Sequence, residues 1–145
     1  MDANEYALPI AKLRFLPVLA LALAFRPVPA HAADCASASD QATMNACAAQ
    51  AYKQADAALN GLYQQAEQRL KNDSEQMKRL VAAERTWIAF RDAECKFVGA
   101  PASGGSADGT VLATCLTALT TKRSADLKGF LSCPEGDLAC PLPPE

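Results

Sequence analysis

The amino-acid sequence predicts an all-α protein: a disulfide-braced antiparallel helical hairpin or a three-helix up-down-up bundle. Three observations carry this. Beyond residue 40, apolar residues recur at steps of three and four. Two stretches rich in Asn, Asp, Gly, Ser and Pro interrupt that rhythm. Six cysteines stand in 145 residues, an even number in a length that suits one modest domain.

The opening segment follows a different logic. Lys12 and Arg14 precede an apolar run over residues 15–25, followed by Pro27, Pro29 and Ala30-His31-Ala32. A basic flank, a short apolar core and an A-x-A pattern form a signal peptide over residues 1–32, cleaved after Ala32. The run falls well short of the ~20 residues that anchor a helix in a bilayer. Asp34 stands directly before Cys35 where a lipoprotein signal needs a small residue. The expectation is a periplasmic or secreted bacterial-envelope protein with no stable membrane anchor after cleavage. Loss of these 32 residues leaves 113, and removing Lys12, Arg14 and Arg26 against Asp2 and Glu5 moves the formal charge from −2 to −3. That balance argues against nucleic acid as a partner. The single histidine, His31, leaves with the signal, taking away the commonest general base and metal ligand. No cofactor or metal is expected, because no two cysteines form a C-x2-4-C knuckle.

The first helix spans about residues 41–71, with Met44, Cys47, Ala51, Tyr52, Ala55, Leu59, Leu62, Tyr63, Ala66 and Leu70 on one stripe. Ser39 or Asp40 caps its start. Asn72-Asp73-Ser74 ends the pattern, and Asp73 with Gln76 fits a capping box for a second helix over 74–97. Its stripe carries Met77, Leu80, Val81, Trp87, Ile88 and Cys95, interrupted by Glu84 and Arg91. Residues 99–109 are a Gly-rich loop by composition. Asp108 suits the cap of a third helix bearing Leu112, Cys115, Leu116, Leu119, Leu127 and Phe130, with Gly129 and Pro134 at its end. The helical domain thus covers 33–133, and 134–145 form a Pro-rich tail. At 1.5 Å per residue the first helix is about 45 Å long, and short connections make sequential helices antiparallel neighbours.

This layout restricts the disulfides. Cys47, Cys95 and Cys115 share one pole, with Cys35 just upstream. Cys133 lies some 27 Å along a helix from Cys115, beyond the reach of a disulfide, and is left to Cys140. Of the 15 pairings open to six cysteines, three remain. Cys35–Cys47 with Cys95–Cys115 is preferred, and pairing Cys35 to Cys95 or to Cys115 stays open.

Polar residues break the stripes: Asp56 and Asn60 on the first helix, Glu84 and Arg91 on the second, Arg123 on the third. Asp56 and Glu84 have the composition of a glycosidase carboxylate pair. The preferred reading is a structural network in which Arg91 and Arg123 neutralise them between helices, since buried charges demand partners; no residue is assigned a catalytic role. Trp87, Tyr52 and Tyr63 read as core, the phenols reaching that network. The loop lacks G-x4-G-K-[ST] and is no phosphate cradle. Its small residues Ser103, Gly104, Gly105 and Ser106 make it the candidate partner-binding segment.

The order of residues carries a resemblance. Asp34-Cys35, Met44-Asn45-Ala46-Cys47, Tyr52 with Ala55-Asp56, Leu59-Asn60 and Tyr63 form its first part. The run from Trp87 through Ile88, Phe90-Arg91-Asp92 to Cys95, the Gly-Gly-Ser loop, and Cys115-Leu116 with Thr120 and Arg123 complete it. The chain resembles the LprI-type lysozyme inhibitor family over roughly residues 35–133. Glu84, where members usually carry Gln, and Cys140 with the Pro-rich end depart from the pattern. The resemblance implies a helical fold, an address outside the cytoplasm, no catalytic residues, and a lysozyme as partner. The function expected is therefore a binding protein that inhibits a lysozyme by steric occlusion. The alternative is an envelope structural or stress-related interaction module without a lysozyme target.

Overall fold

The computed structural model describes residues 35–134 and 136–142; the segment 1–32 expected to be a signal peptide, and the expected cleavage after Ala32, lie outside them. Three α-helices follow one another: α1 (Gln41–Arg69), α2 (Ser74–Gly99) and α3 (Asp108–Leu131). A 3-10 turn over Ala100–Ala102 extends α2 into the loop. Among the described residues no strand occurs, and no helix is long and apolar enough to cross a membrane.

The helix starts are set by local chemistry. Asp40 adopts an extended backbone and accepts from the Thr43 N–H at 2.9 Å and the Thr43 hydroxyl at 2.6 Å, satisfying an otherwise orphan donor. These bonds, the hydroxyl first, hold the Asp40 carboxyl below its ordinary range. Asp73 caps α2 through the Gln76 N–H at 2.9 Å. Only half of the capping box forms, because the Gln76 side chain turns away and donates to the Pro141 carbonyl at 3.1 Å.

The helices run up, down and up, but they do not pack in chain order. α3 lies along α1, α2 touches α3 more lightly, and α1 and α2 scarcely approach each other at the backbone. Small side chains explain this. The fully buried face of α3 is Ala113, Thr120 and Leu127, and that of α1 is Leu59 and Ala66, each a seven-residue step that returns to one side of a helix. Ala and Thr let two helix axes come close. The leucines of the expected stripe, Leu112, Leu116 and Leu119, are only half-buried and flank this seam. Thr120 carries a cost: its hydroxyl is buried with no hydrogen-bond partner among the described residues.

Three disulfides brace the frame: Cys35–Cys47, Cys95–Cys115 and Cys133–Cys140. The last folds the tail back on the bundle. Leu142 is buried against Ala66 and Leu70, with Met77, Leu80, Phe130 and Leu131 around them. Although the sequence sets residues 134–145 outside the helical domain, Leu142 thus closes the core at the α1–α2 turn. Truncating it, Leu142→Ala, is expected to cost about 2 kcal/mol, near the low end for a buried leucine. Thermal unfolding followed by circular dichroism should then show Tm lower by roughly 10 °C; an unchanged Tm would mean that the tail docks without stabilising the bundle.

Candidate functional site

The pole where α2 hands over to α3 is built from hydrogen bonds within the loop. The Ser103 N–H donates to the Ala100 carbonyl at 3.2 Å, Gly105 to Ala102 at 3.0 Å, and Asp108 to Gly105 at 3.2 Å. Gly104 has φ +75°, a left-handed conformation that glycine adopts without strain. Its N–H donates to Asp108 Oδ2 at 3.1 Å. Asp108 therefore braces the loop and does not cap α3 as its position suggested; the residue before the helix, Ala107, offers no side-chain cap.

The cap comes from α1. Asn45 Oδ1 accepts from the Thr110 N–H at 3.0 Å and the Thr110 hydroxyl at 2.6 Å, while Gln41 Nε2 donates to both Asn45 Oδ1 and Thr110 Oγ1. Asn45 Nδ2 in turn donates to the Ser106 carbonyl at 2.9 Å. Gly109 permits the contact, since a Cβ there would stand 3.3 Å from Asn45 Cγ. One amide thus ties α1, the loop and α3 together. The sequence signal was a poor helix former one turn into α1, opposite a Gly-Thr pair. Residues 103–106 remain exposed on this fixed base.

The charged residues gather lower down, around Trp87. Arg123 Nε donates to Glu84 Oε2 at 3.0 Å, with both side chains largely buried. Arg91, nine-tenths buried, meets Asp92 first, at 2.8 and 2.9 Å, and Asp56 only at 3.8 Å. Its guanidinium stacks over Trp87 at 5.2 Å and Tyr52 at 5.6 Å, and Arg123 lies 6.0 Å from the Trp87 ring. Cation–π attraction keeps two arginines beside one half-buried indole. Asn60 Nδ2 donates to Asp56 Oδ2 at 3.0 Å. The five residues expected to form a polar network are therefore drawn together, with Asp92 added as the nearest partner of Arg91.

Because α2 stands off α1, a groove of about 510 Å³ opens between them. Asp56, Asn60, Tyr63 and Glu67 line it from α1, and Glu84, Arg85, Ile88 and Arg91 from α2. Its carboxylates face solvent to different degrees: Glu84 is buried and paired, whereas Asp56 is nearly half exposed. Burial raises the Tyr63 phenol above its ordinary value, helped by its hydrogen bond with Glu67. Burial likewise raises Tyr52, opposed by the nearby Arg91 charge. Both phenols remain neutral donors across the physiological range.

The family profile described as Lysozyme inhibitor LprI matches residues 32–127. An uncharacterized protein of Rhizobium meliloti (strain 1021) is 36% identical over 113 residues, which cover 70% of this chain and 81% of that one. No solved structure matches the chain. The profile ends before Cys133, so the tail that supplies Leu142 lies beyond the matched segment.

The network generates a two-part expectation. Removing the guanidinium in Arg91→Ala strips packing from two rings, takes the cation from Asp92 and leaves Asp56 with its Asn60 hydrogen bond. Because those partners are partly exposed, the cost should be about 2 kcal/mol, below that of a fully buried pair, read as a lower Tm. Alkaline titration monitored by tyrosine absorbance should place the wild-type phenols above their ordinary value, and Arg91→Ala should push Tyr52 higher still. Since the folded phenols titrate above the unfolded ones, their contribution to stability is present below pH ~10 and is lost as pH rises through the folded values. An unchanged Tm for Arg91→Ala would count against a structural role.

Proposed function

The chain belongs to the LprI lysozyme inhibitor family, and from that premise we propose that it is an exported binding protein that occludes the cleft of a lysozyme. The observation that carries this reading is the fixed, exposed loop at residues 103–106. Four small residues project from a base held by Asn45, Asp108 and the nearby Cys95–Cys115 bridge. A loop already ordered in the free protein loses little conformational freedom on binding. Small side chains let its backbone donors and acceptors approach a cleft closely, where the catalytic carboxylates of a lysozyme accept hydrogen bonds. Such a block needs no chemistry from the inhibitor. The ion pairs around Trp87 then serve to hold the scaffold, and Glu84 stays committed to Arg123.

Export supports this assignment. Three disulfides in a chain of this length suit an oxidising compartment, and the A-x-A sequence at residues 30–32 supplies the cleavage site. The target, on this reading, is met in the periplasm or outside the cell.

Purified oxidised protein mixed with c-, g- and i-type lysozymes should slow cell-wall lysis by at least one of them at micromolar concentrations. Ser103→Trp and Ser106→Trp, which place bulk on the exposed loop, should weaken that inhibition about tenfold or more while leaving Tm unchanged. Undiminished lysis by all three enzymes in micromolar excess of protein would overturn the proposal.

A further inference from the structure

The solvent side of α2 carries a second apolar stripe. Phe97 is 77% exposed and Phe90 53%, and Ala83, Thr86, Ala93 and Ala100 lie exposed in line with them. The steps along this line alternate between three and four residues, the a and d positions of a heptad. The buried residues of the same helix, Glu84, Arg91, Cys95 and Gly99, fall on the opposite side at 3.6 residues per turn. α2 thus carries an apolar stripe opposite its buried face, and among the described residues only the buried face is covered.

We infer that the outer stripe docks a second copy of this chain, α2 against α2 in antiparallel orientation, about a two-fold axis passing between residues 91 and 92. The order of large and small residues selects this occupant. Antiparallel pairing about that axis sets Phe90 against Ala93 of the second copy, Phe97 against its Thr86, and Ala83 against its Ala100. Every ring then meets a small residue, as interdigitating helix surfaces require. A parallel pair in register would instead stack Phe90 on Phe90 and Ala93 on Ala93, alternating crowded and empty layers. The flanking positions agree: the same register sets Glu94 beside Trp87 and Lys96 beside Ala89, so no like charges face each other.

The stripe is about 26 Å long by helical rise. It would bury roughly 600 Å² per copy, the low end for a specific interface; with two phenylalanines as its only large anchors, we expect association at about micromolar concentrations. An isologous contact of this kind closes on itself and stops at two copies. The loops at residues 103–106 lie beyond the Ala100 end, so the dimer carries them at opposite ends. This inference stands independently of what those loops bind.

Sedimentation equilibrium on protein recovered from an oxidising compartment tests it. The wild type should pass from the mass of one chain to that of two as concentration rises through the micromolar range. Phe97→Lys and Thr86→Glu, each checked for wild-type helicity by circular dichroism, should each weaken association about tenfold or more. The double variant should recover it, because antiparallel pairing places the introduced Lys and Glu opposite each other. A single-chain mass for the wild type at about 0.5 mM would overturn the inference. So would Phe97→Lys associating as the wild type does, or a double variant as weak as either single one.

Discussion

The close seat of α3 on α1 is the constraint from which the rest of the structure follows. Ala66 on one helix and Ala113 and Thr120 on the other are small enough for the two axes to approach, and Asn45 fixes the register by bonding Thr110 and Ser106. With α3 occupying that side of α1, α2 is held at a distance. It meets the bundle through longer side chains, Glu84 to Arg123 and Arg91 over Trp87 and Tyr52, and through the Cys95–Cys115 bridge. A groove opens between α1 and α2 as a result, and the far side of α2 is left bare. One choice of small residues thus sets the loop, the groove and the outer stripe.

The manner in which α2 is attached has an energetic logic. Buried charges are weak sources of stability, since desolvation offsets much of their attraction. Here they define orientation: the Arg123–Glu84 contact and the two guanidiniums beside the Trp87 indole admit few alternative rotations of α2. Stability is supplied elsewhere, by three disulfides that restrict the unfolded chain and by an apolar end where Leu142 closes over Ala66 and Leu70. A thin core in a small chain makes such staples necessary.

What was legible in the sequence is what local chemistry controls. Three helices, the caps at Asp40 and Asp73, and the exposed Gly-rich loop follow from periodicity and turn chemistry, and helical rise alone confines Cys133 to Cys140. The features that escaped are tertiary. Asn45 caps a helix 65 residues away, which no window along the chain contains. Asp92 takes Arg91 because the guanidinium folds back along its own helix, whereas the sequence pattern pointed across to Asp56. On α3, ranking by hydrophobicity favours Leu112, Leu116 and Leu119, yet helix approach selects Ala113 and Thr120 for the seam. Leu142, flanked by prolines, has no periodicity to announce it. The ionic residues were legible as a set, but the groove they line depends on the spacing of α1 and α2.

These arguments meet in the width of the α1–α3 seam. Bulk introduced there should force the helices apart and strain everything tied across them, whereas the same bulk on the open side of α3 should not. Comparing the thermal unfolding of Ala113→Leu with that of Ala118→Leu, an exposed position on the same helix, isolates the effect. The account predicts a loss of about 1–3 kcal/mol for the first, as overpacked cores show, and little change for the second. Equal Tm values for the two variants would contradict it.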